Sequence, residues 1–190
     1  YDCAIRVGPG PDVSMVSKKI GHVALVTVVS PAYLARHGTP KSPSEIRTHE
    51  AIRYSLAKSP ETWVYGKTTL TRVRPAGPIE VSHGGLARSL VRRGLGIASL
   101  PLFEVAADLA SGALVEVLAR HRPRDLDVLV VFPTRRHVPA KVRAFVDEAT
   151  AVLGPLLEAL ERQGPTAIVA QDSTMPRRRS DLRAPKKRRT

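Results

Sequence analysis

"VVSPAYLARHGTPKSPSEI" runs from Val28 to Ile46. It closes a continuous apolar, β-branched run, Val23–Val29, that reads as a strand buried on both faces, as in parallel α/β sheets. Ser30 then stands where a helix N-cap belongs, Pro31 at the first helical position and Gly38 past the end. Ser42-Pro43-Ser44-Glu45 repeats the start signal and adds the glutamate of a capping box. A helix whose bare N-terminus opens at the mouth of a buried strand suits a small anion, because its free N–H groups and dipole point the same way. The competing reading is that Ser30 caps only its own helix, as helix ends generally require.

Working outward, strands alternate with helices. "AIRVG" (4–8) reads as a strand ending in glycine, and a Pro/Gly turn follows at "PGPDVS". Short strands are expected at Thr62–Tyr65, Thr68–Val73 and Ile79–Ser82, with Trp63 and Tyr65 on one packed face. Gly85–Arg93 reads as a helix with Leu86, Leu90 and Val91 inward and Arg88, Arg92 and Arg93 outward. "GIASL" (96–100), a helix from Leu102 to Ala110, "ALVEVL" (113–118) and "LDVLVVF" (126–132) continue the alternation. The clearest helical period belongs to Val142, Phe145, Val146, Ala149, Val152 and Leu153; it opens at Pro139 and is expected to break at Gly154-Pro155. The class is therefore α/β. Two β runs, 23–29 and 126–132, bracket a turn-rich middle block, which is the pattern of two lobes with a cleft between them.

Composition narrows the function. The 190 residues are 43% hydrophobic, globular in character, and no apolar run approaches the ~18–20 residues of a membrane span. Cys3 is the single cysteine, which excludes an intrachain disulfide and a thiolate-rich zinc site and reads as a small packed hydrophobe. Its presence as a lone thiol is consistent with a reducing cytoplasm. The net charge of +13 is uneven: Pro176–Thr190 holds eight Lys/Arg and one Asp, a net +7, leaving +6 elsewhere. The tail residues Arg177, Arg178, Arg179, Lys186, Lys187, Arg188 and Arg189 are candidate nucleic-acid contacts, set against the plainer reading of a solvated extension without aromatic residues for stacking. The six histidines are scattered, no Gly-rich phosphate loop or nucleophile elbow occurs, and no catalytic set emerges, so the chain is not expected to be an enzyme or to carry a cofactor or metal.

Several stretches occur together in a familiar order: "DCAIRVG" (2–8), "VVSPAYLARHGTPKSPSEIRTHEAIRY" (28–54), "WVYG" (63–66), "GLARSLVRRGLGIASLPLFEVAADLASGALVEVL" (85–118) and "VFPTRRHVPAKVRAFVDEA" (131–149). They resemble the C-terminal effector-binding domain of LysR-type transcriptional regulators, in the branch often called CrgA-like. The resemblance implies a two-lobed fold like type 2 periplasmic binding proteins, with the first lobe incomplete. Residues 1–29 and 127–155 are expected in the first lobe, 30–126 in the second, and 156–190 in a basic, disordered C-terminal extension. The chain opens without Met and inside an apparent strand, and nothing at its start reads as a secretory signal; it is expected to be an N-terminally truncated piece.

The implied function is that of an effector-sensing domain holding a small acidic or aromatic molecule between the lobes. The implied partners are further copies, as a homodimer or tetramer, and DNA only through a missing N-terminal winged helix-turn-helix. No membrane is involved, and the location is cytoplasmic. Candidate effector contacts are Arg6, near a strand end and suited to a carboxylate; Ser30 and Pro31; and Ser82, His83 and Gly84, where a strand turns into a helix and glycine permits close approach. Two alternatives stand beside this: a nucleic-acid-binding protein acting through its basic tail, and a solute-binding protein of the same fold.

Overall fold

The computed structural model describes residues 2–8, 10, 15–57, 59–66, 68–133 and 138–172. The basic-tail residues from Arg177 onward and most of the turn "PGPDVS" lie outside them.

Two groups of strands organise the chain. In the first, β1 (Ala4–Val7), β10 (Leu126–Pro133) and β2 (Met15–Val23) lie side by side, with β10 central and antiparallel to both neighbours. In the second, β3 (Leu25–Val29) is central, antiparallel to β8 (Ala98–Pro101) and β9 (Val115–Val117). Alongside run β4 (Glu50–Tyr54) and β7 (Ala76–Val81), paired parallel, and Ala51 forms a parallel bridge to Ile97 just ahead of β8. A small antiparallel pair, β5 (Trp63–Tyr65) and β6 (Thr71–Val73), completes the strands.

The apolar run 23–29 does mark a strand buried on both faces, but not a parallel one. Val26 and Val28 enter a core with Val91, Leu100 and Val105, beneath α2 (Gly84–Arg92) and α3 (Leu102–Ser111). Val29 enters a separate core with Tyr33, Ile46, Tyr65 and Ile97, and Thr27 bonds the Tyr65 hydroxyl beside it. Strand periodicity sends alternate residues to opposite faces, so two covered faces give unbroken apolarity whatever the neighbours' direction. β3 pairs with β8 and β9 and not with β1 or β10. Only Ala24 separates β2 from β3.

The helix α4 (Ala140–Asp172) covers the first sheet, with Val142, Val146 and Ala149 packed on Ile20, Val128 and Val130. It passes through Gly154-Pro155 without the expected break, so the residues assigned to an extension from 156 begin inside a 33-residue helix. A mid-helix proline costs ~3 kcal/mol or more. Here Leu153 and Leu157, on either side of it, pack against the same core and offset that cost. The second start signal gives only a 3-10 turn, Pro43–Thr48, with Glu45 reaching back to the Lys41 amide and the Ser42 hydroxyl. The expected outward position of Arg88 is also corrected: it turns to the buried Asp108 of α3.

Candidate functional site

Strand direction decides which ends meet. β4 and β7 are parallel, Ala51 bridges parallel to Ile97, and β3 opposes β8. The C-terminal ends of β7, β4 and β8 therefore share an edge with the N-terminal end of β3, where Ala24 crosses to the first sheet. The Leu102 amide, at the start of α3, donates to the Ala24 carbonyl at 2.9 Å and ties α3 to this crossing. In the first sheet, β1 and β2 both oppose β10, so Val7 and Val23 end on the same side. The Gly8 amide donates to the Asp127 carbonyl at 2.8 Å there. The second chain passage runs through Pro123, bridged to Tyr65, into β10 at Leu126, which pairs with Val23. Ligands in open α/β sheets collect outside the carboxyl ends of parallel strands.

This edge carries Arg6, near the end of β1 and exposed, and Ser82 and His83, both exposed, at the end of β7. It also carries Tyr54 and Ser55 at the end of β4, where the Ser55 amide donates to the Val81 carbonyl at 2.9 Å. Sequence reading missed Tyr54 and Ser55, because their place depends on the parallel pairing of β4 with β7.

Ser30 and Pro31 do not join them. They follow the far end of β3, roughly 20 Å from Ala24 at ~3.3 Å per residue. Ser30 is buried, and its Oγ accepts from the Tyr33 amide at 3.3 Å. The Gly94 loop lies over that Oγ, and its carbonyl takes a 2.8 Å bond from the Arg36 guanidinium. Ser30 is thus a cap for the seven-residue helix α1 (Pro31–His37) under a protein roof. The antiparallel β3 points its C-terminal end, and with it Ser30 and Pro31, away from the crossing.

His83 is the N-cap of α2 but its side chain makes no capping bond. The carboxylate of Glu104, from the first turn of α3, reaches the same helix start. A β-carbon on Gly84 would overlap both Glu104 carboxylate oxygens. Gly84 does permit a close approach, as its residue type implied, and the group that approaches is the chain's own. Glu104 Oε2 is buried without a hydrogen-bond partner. Burial pushes the carboxyl pKa up, against the pull of His83 and Arg88. Glu104 carried only one sequence signal, an acid in a helix's first turn, and that signal pointed to its own helix.

An open apolar hollow lies beside the crossing, between His22, Val23, Ala24, Leu102, Phe103, Leu157 and Leu160. None of the residues chosen from sequence lines it. Among the described residues no group of three or more His, Cys, Asp or Glu could hold a metal ion, and no helix is long and apolar enough to cross a membrane.

Comparison with known proteins bears on the fold and the family. An HTH-type transcriptional regulator of Haemophilus influenzae is 36% identical over 143 residues, covering 75% of this chain and 50% of its own. The regulator CrgA of Neisseria meningitidis is 29% identical over 154 residues, covering 80% and 52%. The chain thus spans about half the length of these curated relatives. Among solved structures, the CrgA regulatory domain superposes with a TM-score of 0.65 at 28% identity, over 80% of this chain and 76% of that one. The full-length virulence activator AphB of Vibrio cholerae gives 0.64 at 28%, over 80% and 51%. The family model described as the LysR substrate binding domain matches residues 1–154, and the chain, a mixed α/β protein of the two-lobed periplasmic-binding-protein-like fold, belongs to that family.

Proposed function

We propose that this chain is the effector-sensing part of a transcriptional regulator. A small molecule binds where the two sheets meet, against Arg6 on one side and Ser82, His83 and Gly84 on the other. The observation that carries the reading is the convergence of strand ends at Ala24, with the chain crossing there and again at Pro123–Leu126. Residues 2–23 and 126–160 form one lobe and 24–125 the other. A guest that touches both lobes favours one angle between them by its differential affinity for the two arrangements. In the longer regulator that angle sets the spacing of DNA-binding heads lying outside this chain. The working unit is a homodimer or tetramer in the cytoplasm, and the chain performs no reaction of its own. These points rest on the regulator names of the relatives, which favour neither a tail-driven nucleic-acid binder nor an exported solute-binding protein.

A thermal-shift screen of small carboxylic acids and aromatic compounds tests the reading. A guest at ~100 times its Kd adds about 2.7 kcal/mol of stability. The expected result is a shift in the 190-residue chain that both Arg6→Ala and His83→Ala reduce. A stabilising compound indifferent to both variants sinks the assignment of this edge.

A further inference from the structure

We infer that the second half of α4 is a strap that ties the two lobes together and fixes the angle between them. The helix begins on the first lobe, where Val142, Val146 and Ala149 pack on the first sheet. Leu157 still touches that lobe, against the bare backbone of Gly21 in β2. Leu157 and Leu160 also line the apolar hollow beside the crossing, and they share its lining with Leu102 and Phe103 of α3, in the second lobe. Along its length α4 lies against α3 more extensively than against either strand of the first sheet that it covers. One helix is thus packed on both lobes.

The chain passes between the lobes at Ala24 and again between Pro123 and Leu126. A few residues at such passages can absorb the dihedral changes of a hinge. A packed contact away from the passages resists that motion, because turning the lobes re-exposes its apolar surface to water. α3 is a firm attachment point. Its Leu102 and Val105 enter the core of the second lobe, and the Leu102 amide is bonded to the Ala24 carbonyl at 2.9 Å. Any change of angle therefore slides α3 over Leu157 and Leu160. Both leucines lie beyond residue 154, where the family match ends, so the strap is an addition to the matched domain. A guest that favours another lobe angle works against this contact, and that consequence alone rests on the proposed effector site.

Residual dipolar couplings of the backbone amides in the weakly aligned 190-residue chain test the strap without any guest. They are fitted separately for residues 2–23 with 126–160 and for residues 24–125. In the unaltered protein one alignment, equal in strength and direction, is expected to describe both lobes. Phe103 is 44% exposed, so Phe103→Ala should leave each lobe fitting its own structure while the common alignment is lost. Leu160→Ala should do the same, and the double variant should separate the lobes further. Val152→Ala, which removes an exposed apolar residue of the same helix, should keep the common alignment. Two alignments in the unaltered protein overturn the inference without any variant. One shared alignment in Phe103→Ala and in the double variant also overturns it, and Phe103→Ala alone decides if Leu160→Ala disturbs the first lobe. A failed effector screen leaves these couplings untouched and bears on the proposed site alone.

Discussion

Leu157, in the second half of α4, rests on the bare backbone of Gly21 in β2. A β-carbon at Gly21 would come within 2.6 Å of Leu157 Cδ1 and 3.1 Å of its Cβ. This contact lies beyond Pro155, and it holds the helix to the first sheet where the local sequence alone argues for a break. Gly21→Ala is expected to destabilise the chain by about 1–3 kcal/mol through overpacking. Pairing it with Leu157→Ala removes the Cδ1 overlap, so a double-mutant cycle from urea melts gives a favourable coupling of ~1 kcal/mol or more. Additive effects would show that the helix does not depend on this seat.

Arg88 and Asp108 join α2 to α3. Arg88 Nε donates to Asp108 Oδ2 at 2.5 Å and Nη2 to Oδ1 at 3.0 Å, with Arg92 Nε 3.7 Å away. Asp108→Ala removes charge-assisted bonds worth about 1.5–3 kcal/mol, read as a lower urea midpoint. The Arg88 bonds hold the Asp108 pKa below its ordinary 3.8. A depressed carboxyl pKa adds stability that is present above the unfolded value and lost as pH falls through the folded one. Asp108→Asn should therefore flatten the loss of stability below about pH 4, and an unchanged acid limb would contradict the pairing.

His49 is buried beside Tyr33, and its Nδ1 has no partner. Burial, with the positive charge of His37, lowers its pKa from 6.5. The neutral ring is the form that fits, so its contribution is complete above 6.5 and is lost as pH falls toward the lower folded value. His49→Phe should make urea stability flatter across mildly acid pH. A variant that keeps the original slope there would remove His49 from the account.

Thr27 and Tyr65 share a hydrogen bond of 3.2 Å between two buried hydroxyls. Tyr65→Phe strands the threonine and is expected to cost about 1 kcal/mol. Burial pushes the Tyr65 hydroxyl up to about 12, so an ultraviolet titration should show a late tyrosine ionisation. The late step should vanish in Tyr65→Phe.

Much of the architecture was written locally. Ser30, Pro31 and Gly38 marked the bounds of α1, and Gly112 closed α3 in a left-handed turn. Trp63 and Tyr65 are packed in the second core as their alternation implied. The site was less legible. Ser30 and His83 looked alike in sequence, each a polar residue between a strand and a helix. Strand direction separates them, and direction is a property of pairs that one strand's residues do not encode. Arg88 looked solvent-facing because the α2 pattern alone cannot show that a buried acid on α3 lies within reach.

The sequence by itself marked β3, β5, β9, β10 and the helices α1 to α3, and showed which family the order of its segments resembles, while β2 and β4 went unread and Leu86, expected inward, is exposed. The elements it marked follow from periodicity, capping and composition, which act over a few neighbouring residues. Only the tertiary structure decided that β3 is antiparallel and carries Ser30 away from the crossing, that α4 continues through Pro155, and that the Glu104 side chain comes against Gly84. Each depends on atoms far apart in the chain meeting in space, where burial and close packing can outweigh local preference.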